Sequence, residues 1–112
     1  MELQQATMGM SKQVNGKEKR TMHLVSLWKK VGLCIHRNVD VKEIKYNISH
    51  FNSGKSVLRL VKSKAKAEEY LQRIYDEVMP DWRFTLEEWE QFASDEKAIL
   101  KKKLDEMQKE IL

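Results

Sequence analysis

A chain of 112 residues with 41% hydrophobic and 34% charged side chains, four glycines and one proline holds material for one packed core and not for two. No apolar run approaches the ~20 residues needed to cross a bilayer, and a single cysteine excludes an internal disulfide and starves any thiolate metal cluster of ligands. The net charge of +4 is unevenly divided: residues 1–62 carry 12 Lys or Arg against 4 Asp or Glu, and residues 63–112 carry 9 against 13. A basic first half attracts phosphate polymers or acidic proteins, whereas an acidic helical face repels them.

Residues 1–20 are polar, include Gly9 and Gly16, and show no helical period, which predicts a flexible tail. They also lack the apolar stretch of a secretory signal, so an intracellular protein without a membrane partner is expected. From Thr21 onward, Leu24, Leu27, Trp28, Val31 and Ile35 recur at the spacing of one helix face, with Thr21 as N-cap and Gly32 as stop. A strand through Val31, Leu33 and Ile35 competes for the end of that segment. Alternation then marks two strands, one through Ile44, Tyr46 and Ile48 and one in which Leu58 and Leu60 oppose Val57, Arg59 and Val61. Asn52-Ser53-Gly54 joins them as a hairpin turn, and Leu33 to Arg37 is the candidate third strand.

Ser63 opens a helix whose apolar stripe is Ala67, Tyr70, Leu71, Ile74, Tyr75 and Val78, ended by Pro80. Thr85 and Glu88 form a capping box for the next helix. The last helix, restarting near Ser94, places Leu100, Leu104, Met107 and Ile111 at spacings of 4, 3 and 4, a short coiled-coil seam suited to a partner or a second copy. The expected fold is therefore α+β: a helix, a two- to three-stranded antiparallel meander, then two or three helices. A tail over 1–20, a compact domain over 21–93 and a C-terminal docking helix over 94–112 would divide the chain.

Catalytic chemistry is poorly represented. Cys34, His36 and His50 are the only soft or imidazole ligands that strand pairing would bring near one another, and no fourth ligand accompanies them. Gly54-Lys55-Ser56 lacks the earlier glycine of a phosphate loop, since that position is Ser49. No cofactor, metal or enzymatic activity is expected.

The lysines around Ser63 are more pointed. Lys62, Lys64 and Lys66 bracket a helix N-terminus, where the macrodipole disfavours cations by about 0.3 to 1 kcal/mol each and free N–H groups invite anions. Lys55, Arg59, Lys45, Lys29, Lys30 and Arg37 are the further cations that one surface would gather. Non-enzymatic nucleic-acid binding through these nine residues, RNA or DNA undecided, is the leading expectation. The alternative is a protein-interaction module, dimerising, inhibitory or part of an assembly, that uses the C-terminal seam.

Two short resemblances accompany this reading. Helix, strands and helix over residues 21–79, with Lys62-Ser63-Lys64-Ala65-Lys66-Ala67 opening the last helix, resemble a double-stranded-RNA-binding domain, and the resemblance implies phosphate contacts from Lys64 and Lys66. That family's Gly-Pro-x-His-like turn is missing. Phe84-Thr85-Leu86-Glu87-Glu88-Trp89, with Phe92, is similar to the central stretch of the Krüppel-associated box, although the same aromatics also suit packing of the last helix onto the domain.

Overall fold

The computed structural model describes residues 1–112, with only the backbone of Lys12. Five strands form one antiparallel meander in chain order: β1 (Gln4–Val14), β2 (Lys17–Trp28), β3 (Leu33–Arg37), β4 (Tyr46–His50) and β5 (Ser56–Val61). Helix α1 (Lys64–Arg73) follows, running on into a π-helical turn at Ile74–Val78, then a short α2 (Leu86–Glu90) and the long α3 (Ser94–Ile111).

Strands thus come first, and this overturns both the expected first helix and the flexible tail. Residues 4–28 are the two longest strands, paired without irregularity from Gln4↔Leu27 to Val14↔Lys17. Leu24 and Trp28 share a face in a helix and, being an even number apart, share one in a strand as well. The deciding residues are Val25 and Leu27, buried on the opposite face of β2 against Met8 and Cys34. Asn15 and Gly16, both at positive φ, make the two-residue turn that joins β1 to β2. With the helix goes the element order on which the likeness to a double-stranded-RNA-binding domain rested.

Both faces of the sheet are covered over its body. On one, Trp28, Leu33, Ile35, Ile48, Leu58 and Val61 pack under Ala67, Leu71 and Ile74 of the α1 segment and Met107 of α3. Ser63 caps α1, its hydroxyl accepting the Lys66 N–H at 3.1 Å. On the other face Met8, Val25, Leu27 and Cys34 form a second cluster with Met10 and Phe51. This inner cluster exists because the sheet curls. The β4–β5 turn reaches the middle of β1, where a Cβ on Gly54 would stand 2.6 Å from the Gly9 carbonyl oxygen.

The strict alternation expected in β5 also fails. Leu58 and Val61, an odd number apart, both enter the core, because Leu60 adopts φ 61 and opens a bulge between the Ile48↔Leu58 and Tyr46↔Val61 pairs. Asn47 fills the bulge, its Oδ1 accepting the Leu60 N–H at 3.2 Å. The exposed edge of β5 is closed by α3: Gln108 accepts the Arg59 N–H at 2.9 Å and donates to the Arg59 carbonyl at 2.8 Å.

Candidate nucleic-acid interface

The pairing register sorts the nine candidate cations between two ends of the sheet. Arg37 ends β3 opposite Tyr46, which opens β4 and pairs with Val61 at the end of β5. Lys45 precedes Tyr46 and Lys62 follows Val61, so Arg37, Lys45, Lys62 and Lys64 meet at one end, with Lys66 a further step along α1. Lys29 and Lys30 lie in the β2–β3 turn, and Lys55 in the β4–β5 turn, at the opposite end. Arg59 sits between them on β5, its side chain exposed and its backbone held by Gln108.

At the first end, Arg37, Tyr46 and Lys64 line a cleft of about 540 Å3 with Gln5 and Leu24 from the β1–β2 ribbon. Carboxylates engage some of its cations: Glu43 stands 3.7 Å from Lys45, and Glu69 hydrogen-bonds Lys66 at 2.9 Å, which raises the lysine's pKa. Glu68 shares the cleft. Arg37, Lys62 and Lys64 are exposed.

Beyond this end the β1–β2 ribbon continues alone. β2 pairs with β3 only through Ser26, Leu27 and Trp28, while its pairing with β1 runs on to Lys17. Residues 13–20 are exposed throughout, and the sequence between 11 and 20 holds Lys12, Lys17, Lys19 and Arg20 against Glu18 alone. Arg20 lies across the bare backbone of Gly9, where a Cβ would meet its Nε at 2.5 Å. Met22 and Leu24, 66% and 65% exposed, continue the same face. The composition of residues 12–20, four cations about an Asn-Gly turn, was the available signal for this arm; the absence of a helical period concealed it.

At the other end Lys55, with Lys97 and Lys101, rims an apolar cleft of about 590 Å3 between β5 and α3. Phe84 anchors the neighbouring aromatic cluster, with ring centroids 4.6 Å from His50, 5.5 Å from Trp89 and 5.2 Å from Phe92. These aromatics pack the Thr85–Glu88 capping box and α2 onto the domain. The α3 seam turns inward as well: Leu100 and Met107 are buried, and Leu104 and Ile111 pack against the same main core.

Cys34, His36 and His50 do not assemble. Adjacent strand positions alternate faces, so Cys34 belongs to the inner cluster while His50, paired with Leu33, lies on the face that carries Ile48. The Cys34 thiol, fully buried, points at the Met8 sulfur and the Ser49 carbonyl at 3.5 Å each, and burial pushes its pKa up to about 12. His36 Nε2 and Ser49 Oγ share a 2.7 Å hydrogen bond, and His50 Nδ1 and Ser53 Oγ another of 2.7 Å. Burial lowers the pKa of both imidazoles. Among the described residues no group of three His, Cys, Asp or Glu is placed to hold a metal ion, and no helix is long and apolar enough to cross a membrane. Comparison of the chain with protein-family models, curated proteins and solved structures finds no match.

Proposed function

We propose that this protein is a non-enzymatic nucleic-acid-binding module whose interface is one end of the sheet together with the β1–β2 arm. The observation that carries the reading is the concentration of cations there: Arg37, Lys45, Lys62 and Lys64 on the body, and Lys17, Lys19 and Arg20 on the arm. Lys29, Lys30 and Lys55 belong to the opposite end and lie outside it. A cost in local stability supports the reading, since an anionic partner offsets it: the first turn of α1 carries Lys64 and Lys66 and no acidic residue.

Phosphate contacts position a nucleic acid without reading its sequence, and each cation that neutralises a phosphate releases counterions. If four to six of the seven engage, affinity falls by about 10² to 10³ between ~50 and ~200 mM salt. Fluorescence anisotropy of the full chain with labelled duplex and single-stranded DNA and RNA measures this directly. Absence of binding to all four probes at ~50 mM salt rules the function out.

A further inference from the structure

The arm also distinguishes among nucleic acids. We infer that the preferred partner is duplex DNA, with the tip of the β1–β2 ribbon seated in the major groove; this inference rests on the phosphate-binding reading above. Three register pairs, Lys12↔Lys19 to Val14↔Lys17, extend beyond Met10, Ser11, Thr21 and His23, which line a cleft together with the Asn38–Asp40 connection. At ~3.4 Å per residue the strands of that projection extend about 10 Å. That length exceeds the ~8.5 Å depth of a B-form major groove, and a two-stranded ribbon fits the ~12 Å width of that groove. The minor groove, ~6 Å wide, is too narrow for the ribbon without deformation of the duplex. The deep, narrow major groove of A-form RNA does not admit side chains at all.

The surface of the arm suits that groove. The face of the arm that carries Gly9 presents Ser11, Gln13 and Arg20, side chains able to donate to base edges, beside Glu18 opposite Gln13, and the only rings between Gln4 and Trp28 are those of His23 and Trp28. Trp28 is buried in the main core and the partly buried His23 ring is hydrogen-bonded to Thr21 Oγ1 at 2.9 Å, so the arm has no Phe, Tyr or Trp platform on which single-stranded bases would stack. Gly9 has a specific part here. Without a side chain it lets the Arg20 guanidinium lie flat on the ribbon instead of being lifted off it. A planar guanidinium held in that way matches the O6 and N7 acceptors of guanine, which face the major groove. The α1 N-terminus and Lys62 then reach the flanking phosphates.

Two measurements on the full chain test this. In anisotropy titrations at ~100 mM salt, a 20-base-pair DNA duplex should bind at least tenfold more tightly than the same duplex in RNA or either DNA strand alone. The triple variant Lys17→Gln, Lys19→Gln, Arg20→Gln should lose at least tenfold in DNA affinity and flatten the log–log salt slope by about 2 to 3. Its far-UV circular dichroism should stay unchanged, because all three side chains are exposed. Lys29→Gln with Lys30→Gln, at the far end, should change affinity less than twofold. Dimethyl sulfate footprinting then reads the groove: protection of guanine N7 places the ribbon in the major groove, and protection of adenine N3 alone overturns the inference. Equal affinity for RNA and DNA duplexes, or a triple variant that binds like the parent, also overturns it while leaving phosphate binding standing. Failure of every probe to bind removes the underlying function instead.

Discussion

Replacing Gly54 with Ala tests the curl of the sheet, and Gly16→Ala supplies its control. Both glycines have positive φ, 74 and 75, so in each case the added Cβ incurs the left-handed backbone penalty of about 1 to 2 kcal/mol. They differ in surroundings. At Gly16 no atom lies within 4 Å of the new carbon, whereas at Gly54 the Gly9 carbonyl oxygen would stand at 2.6 Å. Backbone cannot rotate away as a side chain can; restoring ordinary contact would take about 0.8 Å of movement between β1 and the β4–β5 turn, a strain comparable to overpacking at about 1 to 3 kcal/mol. Gly16→Ala should therefore cost about 1 to 2 kcal/mol and Gly54→Ala about 2 to 5, out of a total stability on the order of 5 to 15. Urea unfolding followed by tryptophan fluorescence reads the difference. With m near 1 to 3 kcal/mol per molar, the two midpoints should separate by about 1 M, within a span of roughly 0.3 to 3 M. Equal losses, or a larger loss for Gly16→Ala, would refute the claim that the turn is pressed against β1.

Three further outcomes follow from the geometry. Gln108→Leu removes both hydrogen bonds to Arg59 and should lower stability by about 1 to 3 kcal/mol; light scattering should also report self-association as the β5 edge is bared. His36 and His50 are held neutral by burial, with native pKa values lowered from 6.5. The unfolded chain therefore takes up protons first as pH falls. Their contribution is complete above about pH 6.5 and is lost as pH drops through the native values, so thermal melts should show a lower Tm at pH 5 than at pH 7.5. His50→Gln should reduce that difference, and an unchanged Tm across the range would contradict the assignment. The Cys34 thiol, fully buried and with its pKa near 12, should resist a thiol reagent in native buffer at pH 8 and react fully in denaturant.

The parts of the fold that a short sequence pattern determines were legible. Asn52-Ser53-Gly54 marks the β4–β5 hairpin, Ser63 and Thr85 are N-caps, and the stripe from Ala67 to Ile74 covers the sheet. What was obscured depends on partners distant in sequence. Leu24 and Trp28 read as a helix face because period 3.6 and period 2 agree at a spacing of four, and the burial of Val25 that separates the two arises only once Met8 packs beneath it. Asn15-Gly16 is a strong hairpin signal, masked by the mostly polar, exposed residues on either side of it. The phase change between Leu58 and Val61 needs Asn47 from another strand to hold the bulge. Among candidate site residues, the lysines at Ser63 were visible as a breach of helix-dipole preference. Their separation from Lys29, Lys30 and Lys55 depended on strand register, which composition does not encode.

The seal on β5 also has a consequence in time. Gln108 closes a strand by bonding Arg59, which lies 49 positions earlier in the chain. A growing chain therefore completes its meander long before the clasp arrives, and a polypeptide halted short of residue 108 carries a sheet with β5 unguarded. Such an open margin is a template for pairing with a neighbouring chain. Helix α3 is thus both a layer of the core and the element whose emergence closes the β5 edge during synthesis.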